Sequence, residues 1–191
     1  LGRNSECLVI YKTDTLLTWW NELPESWKEV FKTQVSIDTK TRKEDVHRLI
    51  EIEALQFKDA PVDELASLGV FIRLKDIQFS GTAIADISPL ANHKSLRKLY
   101  ATSSPMREIA ALSALKNLEE LDISNTPVED LRPLSSLDNL KTLKCSGTQV
   151  SSLSPLENLS LENIDCSNTN VKKLEPLFGL PMKTLKCYNT R

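Results

Sequence analysis

Three cysteines stand out in the sequence, because thiolates bind metals, form disulfides and act as nucleophiles. Cys145, Cys166 and Cys187 follow one another at intervals of 21 residues, the spacing of a repeat that places them on successive strands. Metal ligands must converge on one point, whereas such a column separates them by about 4.8 Å per strand. The outer two would lie about 9.6 Å apart, beyond the limit of about 7 Å between Cα atoms for a disulfide. Neighbouring pairs are closer, but Cβ atoms in register on parallel strands do not point at each other. We therefore predict three reduced thiols in the core.

The remaining candidates for chemistry are few. His47 and His93 are the only histidines, no Ser or Cys motif accompanies either, and we predict that both are solvated. Cys7 lies outside the repeats and could be free, lipid-modified or paired with another chain. With five glycines in all, the sequence has no loop that would cradle a phosphate. It therefore predicts a non-enzyme with no catalytic residue, cofactor or metal.

The elements that position these residues form a repeat. The stretch from Leu118 to Asn139, LEELDISNTPVEDLRPLSSLDN, recurs on both sides of itself. Successive copies start at Leu74, Leu96, Leu118, Leu140, Leu161 and Met182, at spacings of 22, 22, 22, 21 and 21. Residues 52–73 keep the same apolar register and form a degenerate first copy. A period in this range is typical of a solenoid, here with seven strands.

The repeat resembles the leucine-rich repeat family. Its pattern LxxLxLxx(N)xL is met by Leu118, Leu121, Ile123, Thr126 and Val128. The following part, with Leu131, Pro133, Leu134 and Leu137, looks closest to the internalin-like bacterial branch. The resemblance implies an α/β solenoid: a right-handed coil with a parallel β-sheet on its concave face and an N-terminal helical cap. We assign the cap to residues 1–51 and the array, six full turns and a truncated seventh, to residues 52–191.

Helix signals begin at Thr13 and Asp14, at Pro24, and at Thr41, which has capping-box spacing to Glu44. Stacked repeats need a terminal element that covers the first apolar turn. We therefore expect these helices to pack near Leu55 and Phe57, with Trp27 buried.

The neighbouring Trp19 and Trp20 leave an alternative open. Adjacent helical residues point about 100° apart, so the two rings can hardly be buried equally. One of them would be free to stack on a sugar or on a partner side chain.

The residues that follow each strand predict how the chain turns. One column consists of Asp59, Gly81, Ser103, Asn125, Gly147, Asn168 and Asn189. Apart from Ser103, these types tolerate positive φ, so we expect a shared left-handed turn. The next column holds Thr or Ser where the family usually has Asn, and these hydroxyls can still bond to turn backbone. Pro89, Pro133, Pro155 and Pro176 should then open short outer helical turns, whereas Ala110–Ala111 could make the outer turn of its repeat differ.

Three columns point away from the core and are free to vary, so we place the candidate binding surface there. The first is Ala54, Asp76, Lys98, Glu120, Thr142, Asn163 and Thr184. The second is Gln56, Gln78, Tyr100, Asp122, Lys144, Asp165 and Lys186, and the third is Lys58, Ser80, Thr102, Ser124, Ser146, Ser167 and Tyr188. Candidate partner-binding residues are Tyr100, Tyr188, Lys98, Glu120, Asp122, Lys144, Asp165 and Lys186. The alternating charges are also expected on a solvated sheet that binds no partner, where opposite charges pair between neighbouring strands.

The composition of the chain argues against nucleic acid as a partner and against a membrane span. A net charge of −2 lacks the basic surplus of a nucleic-acid binder, and no apolar run approaches the roughly 20 residues of a membrane span. The resemblance implies a non-catalytic module that binds a protein through the concave face, with a lean to the bacterial surface or secretion. A glycan-binding adhesin and a regulatory subunit of an intracellular enzyme remain alternatives. We expect that a leader has been removed before Leu1 or that the sequence starts inside a longer one. Past Arg191, either the chain continues or the exposed strand edge meets another chain, which would allow self-association.

Overall fold

The computed structural model describes residues 13–34 and 43–190, and the chain forms two compact units, Leu1–Leu49 and Ile50–Arg191. The first unit contains α1 (Thr13–Glu22), α2 (Glu25–Gln34) and most of α3 (Lys43–Ile50). Thr41, the predicted start of the third helix, lies outside the described residues.

The helical unit has an aromatic core. Trp27 is buried, as expected, and its ring stacks on Phe31 at a centroid distance of 5.1 Å. Trp20 is also buried, whereas Trp19 is partly exposed and lies 5.8 Å from the Phe31 ring. The two adjacent tryptophans are thus unequally buried, as their helical geometry requires. Packing of these helices near Leu55 and Phe57 stays a prediction.

The second unit is a solenoid with one parallel sheet, as predicted. Among the described residues its strands are β1 (Ala54–Lys58), β2 (Asp76–Ser80), β3 (Lys98–Thr102), β4 (Glu120–Asp122), β5 (Thr142–Lys144), β6 (Asn163–Asp165) and β7 (Thr184–Lys186). Each strand pairs with the next in chain order, in the register that the repeat spacing predicts. The sheet is therefore built only from neighbouring turns, and one copy of the repeat supplies one strand.

Short 3₁₀ helices connect the strands on the other side of each turn. They span Ala66–Val70, Ser88–Asn92, Ala110–Ala114, Arg132–Leu134, Ser154–Leu156 and Glu175–Leu177. Proline lies at one of the first positions in four of them, where its missing N–H removes no internal bond. The helix at Ala110 begins without proline and is still 3₁₀, so the expectation that this turn could differ is wrong.

The predicted left-handed column is present along the whole array. Asp59, Gly81, Ser103, Asn125, Gly147, Asn168 and Asn189 all have φ between 49° and 69°. Ser103, the type least suited to this region, follows its neighbours because the strands on both sides impose the same turn. Where the column has glycine, the side chain at the same column position in the preceding turn occupies the space that a Cβ would need. A Cβ built on Gly147 would lie 2.5 Å from Asn125 Oδ1.

Hydroxyls in the next column bond to the backbone of the turn. Thr126, Thr148 and Thr169 are buried, and each donates its hydroxyl proton to the carbonyl three residues earlier at 2.6–2.7 Å. Threonine thus satisfies the turn locally at these positions, as expected. Thr82 and Ser104 are also buried, but their hydroxyls have no partner among the described residues.

The cysteine column lies in the core as free thiols. Cys145 and Cys166 are fully buried, but Cys187, in the last turn, is only partly buried. Burial raises the pKa of the Cys145 thiol strongly and that of Cys166 to about 11. Two of the three thiols are therefore both inaccessible and protonated at neutral pH.

The prediction that both histidines are solvated is wrong for one of them. His93 is buried, and its Nε2 lies 3.1 Å from the Leu68 carbonyl oxygen of the preceding turn. It follows a 3₁₀ helix where Phe71 and Leu115 follow the neighbouring ones. The apolar column therefore includes one imidazole that bridges two turns. His47 is exposed, as expected.

Candidate functional site

The outward face of the sheet carries the predicted binding residues. Register places Lys98 beside Glu120, and it aligns Tyr100, Asp122, Lys144, Asp165 and Lys186 in one row across five strands. Tyr188 lies just after β7 in the third column. The strands thus bring all eight candidates to one face, because side chains at alternate positions point to the same side.

A hydrogen-bonded cluster occupies the middle of this face. Glu120 Oε1 is 2.8 Å from Lys98 Nζ, and Glu120 Oε2 accepts the hydroxyl proton of Tyr100. These two bonds hold the pKa of Glu120 below its ordinary value. Burial, followed by the bond to Glu120, raises the pKa of Tyr100. The tyrosine is therefore a neutral, part-buried ring fixed in place by its neighbours.

The rest of the row is held more loosely. Asp122 Oδ2 lies 3.6 Å from Lys144 Nζ, and Asp122 Oδ1 accepts the backbone N–H of Ser124 at 3.0 Å. Asp165 accepts the backbone N–H of Ser167 in the same way, at 3.1 Å. Lys186 is exposed and forms no ion pair within the described part of the chain. Pairing across the sheet is thus strongest at β3 and β4.

A further carboxylate on this face lacks a partner. Asp76 lies directly across from Lys98, but Lys98 bonds to Glu120 instead. Within residues 13–34 and 43–190, the Asp76 carboxylate has no hydrogen bond or ion pair, and it is half-buried. Burial raises the pKa of Asp76, Lys98 opposes this shift and Glu120 adds to it. Sequence reasoning placed Asp76 in the column but did not single it out, because which acid takes the lysine depends on side-chain geometry.

A second charged column lies at the start of the strands and was missed by the sequence analysis. It contains Glu53, Lys75, Arg97, Glu119, Lys141, Glu162 and Lys183. The distances are 2.8 Å from Lys75 Nζ to Glu53 and 2.7 Å from Lys183 Nζ to Glu162. Arg97 contacts Glu119 through two nitrogens. The spacing of 21 or 22 residues between opposite charges was the signal that could have revealed it.

Exposed apolar residues gather near the last strand. Phe178 is 76% exposed, Tyr188 69% and Leu185 43%. Leu185 lies in the inward column, whose members on the other six strands are buried. The predicted exposure of this end is thus confirmed for Leu185, while Cys187 is only partly exposed.

Other parts of the described surface have fewer features of a binding site. A cleft of about 520 Å³ between two outer loops is lined by serines with Glu157, Glu175, Lys172 and Lys173, so its charges balance. In the described ranges no group of three or more His, Cys, Asp and Glu is arranged to hold a metal ion. The same ranges contain no helix with the length and apolar character of a membrane span.

Comparison with known proteins agrees with this architecture. The family model for leucine-rich repeats (two copies) matches residues 94–136 and 116–158. No curated protein matches the sequence significantly. At the identities given below, the similarity to solved structures concerns the fold.

Three solved structures are similar. An internalin (inlF) from Listeria monocytogenes has a TM-score of 0.67 and 22% identity, over 87% of this chain and 56% of that one. Internalin C2 (inlC2) of the same species has a TM-score of 0.61 and 18% identity, over 92% and 91%. A plant ice-binding protein has a TM-score of 0.66 and 17% identity, over 76% and 52%.

Proposed function

Since the chain is a leucine-rich repeat protein with an internalin-like fold, we propose that it is a non-catalytic module that binds a protein partner through the outward face of its sheet. Proteins of this kind are typically interaction modules. The single observation that carries the assignment to this face is the fixed, part-exposed ring of Tyr100 near the middle of the sheet.

The physical argument concerns the entropy of binding. Ordering a mobile side chain at an interface costs about 0.5–1.5 kcal/mol. The hydrogen bond from Tyr100 to Glu120 orders the ring before a partner arrives, and Lys98 orders Glu120 in turn. Tyrosine also offers a large apolar area and is enriched among binding hot spots. We therefore assign Tyr100 as the anchor.

The surrounding residues would set specificity. Lys98 lies on the same strand as Tyr100, Glu120 and Asp122 lie on the next strand, and Lys144 lies one strand further. Their charges would favour a partner of complementary pattern. Asp165, Lys186 and Tyr188 extend the face toward β7 and would form its rim.

The alternative of a glycan-binding adhesin receives no specific support from the helical unit. Trp20 is buried, and Trp19 packs against Phe31. An open aromatic platform, the feature that this alternative requires, is therefore missing from the described helices.

The test begins with selection of protein ligands for the full chain from a displayed proteome. A selected ligand is then titrated against the parent and against Tyr100→Ala. We expect the variant to lose about 2 kcal/mol or more of binding free energy, the range of a hot spot. Phe178→Ala is the matched control, because it removes an aromatic ring that is even more exposed but lies outside the three columns. Loss of binding in the control alone would refute the assignment to this face.

A further inference from the structure

The unpaired carboxylate of Asp76 lies within the proposed binding face, and its isolation has a structural cause. Lys98, its neighbour in register on β3, directs its ammonium group to Glu120 at 2.8 Å. The Tyr100 hydroxyl is also used by Glu120. Glu120 thus takes both nearby donors, and a half-buried carboxylate is left without one. Partial burial of a carboxylate without a paired cation is unfavourable, and a cation that approaches it would offset this cost.

The neighbours of Asp76 suit one class of cation. Gln78 lies two residues along β2 on the same face, directly across from Tyr100, and its amide has no hydrogen bond in the described residues. A carboxylate, an amide oxygen and an aromatic ring therefore occupy adjacent positions. A guanidinium group offers five planar donors and stacks on aromatic rings, whereas an ammonium group offers a compact, strongly hydrated charge.

The charges on this part of the face also favour a cationic ligand. Strands β2 to β5 present three carboxylates and two lysines on their outward side. Both lysines are paired with a carboxylate, Lys98 with Glu120 and Lys144 with Asp122. The excess negative charge is therefore localised at Asp76, not spread across the sheet.

We propose that the outward face binds a protein segment that inserts an arginine between Asp76, Gln78 and Tyr100. The arginine donates to the Asp76 carboxylate and the Gln78 amide oxygen, and its plane lies against the Tyr100 ring. This inference rests on the proposed function and states which chemistry the partner supplies.

The experiment needs no identified partner. The ¹⁵N-labelled full chain is titrated with N-acetyl-L-arginine methylamide at low salt, and the backbone amide shifts are followed by NMR. We expect saturable shifts that centre on residues 76–78 and 98–100. The neutral isostere N-acetyl-L-citrulline methylamide should cause none. The Asp76→Asn variant should bind the arginine probe about tenfold more weakly, equivalent to about 1.4 kcal/mol and consistent with loss of a hydrogen bond to a charged group.

Two matched variants separate this site from its surroundings. Glu108→Gln removes an exposed carboxylate in a loop outside the three outward columns and should leave the affinity for the probe unchanged. Phe178→Ala removes an exposed aromatic ring outside the three outward columns and should also leave the affinity unchanged. Equal binding of arginine and citrulline, equal affinity of Asp76→Asn and the parent, or shifts elsewhere would overturn the inference. So would shifts of the same amides by calcium chloride but not by the arginine probe.

The experiments distinguish failure of the arginine site from failure of the proposed function. If the arginine probe fails at Asp76 while Tyr100→Ala still abolishes binding of a selected protein, the arginine site is wrong and the binding face stands. If the probe binds as expected while selected proteins bind Tyr100→Ala as tightly as they bind the parent, the proposed function fails.

Discussion

Tyr100 on β3 donates its hydroxyl proton to Glu120 on β4, and this bond joins two outward columns that the repeat pattern leaves independent. In the parallel register, Tyr100 lies across from Asp122 and not from Glu120. The tyrosine contact is therefore diagonal, whereas the Lys98–Glu120 ion pair follows the register. Glu120 accepts from both donors, so the aromatic ring is fixed and Asp76 is left unpaired among the described residues.

The first prediction concerns stability and pH. In the folded state, the hydrogen bond from Lys98 has the largest lowering effect on the pKa of Glu120, and the hydrogen bond from Tyr100 has the next largest. A carboxylate with a lowered folded pKa contributes stability above its unfolded pKa, near 4.5, and loses it as pH falls through the folded value. Glu120→Gln should therefore cost about 1 kcal/mol of unfolding free energy at pH 7. The difference from the parent should disappear at acid pH.

Denaturant unfolding at several pH values measures this difference. Glu129→Gln provides the control, because Glu129 is exposed and lies 3.7 Å from Arg107 on a loop. A cost for Glu120→Gln that is the same at every pH would contradict the electrostatic explanation.

The left-handed column gives a second prediction. Gly147 has φ of 69°, and a Cβ there would meet Asn125 Oδ1, so Gly147→Ala should destabilise the fold by roughly 1–2 kcal/mol. Gly69 has no atom within 4 Å of its Cβ position. Gly69→Ala should accordingly be neutral, or stabilising by up to about 1 kcal/mol. Thermal or denaturant unfolding decides the matter, and similar effects at both glycines would argue against a strained turn.

Thiol reactivity provides a third prediction. Cys187 is part-exposed, whereas Cys145 and Cys166 are buried with raised pKa values. Among the three cysteines of the repeats, an alkylating reagent should therefore modify Cys187 first in the folded chain and reach the other two only on unfolding. Peptide mass spectrometry after timed labelling identifies the sites. Early labelling of Cys145 would show that the core column is accessible.

Self-association is the fourth prediction. Among the described residues, the outer edge of β7 is unpaired. This edge and the exposed side chain of Leu185 should favour contact with a second chain at high concentration. Light scattering over a concentration series should show an increase in mean mass, which Leu185→Glu should reduce. Ile72→Glu is the control, because Ile72 is 49% exposed but lies far from β7 in the chain. A strictly monomeric parent would contradict this prediction.

Much of the array follows from the sequence alone, because a repeat of 22 residues specifies one strand, one turn and one outer helix each time. The spacing predicted the strand register, and the residue types after each strand predicted positive φ at Gly81 and Asn125. Even Ser103 adopts this conformation, which shows that the stacked neighbours override a local preference.

Only the tertiary structure decided which side chains meet. The repeat placed His93 in an outer turn, but its burial beside Leu68 depends on how adjacent turns pack. The outward columns suggested an alternating ladder, yet the choice of Lys98 between Asp76 and Glu120 depends on distances of a few ångströms and on the Tyr100 hydroxyl. Sequence spacing defines which residues are neighbours, whereas rotamers and competition for donors determine which neighbours bond. For that physical reason the outward face of the sheet could be predicted from the repeat, and its unpaired carboxylate could not.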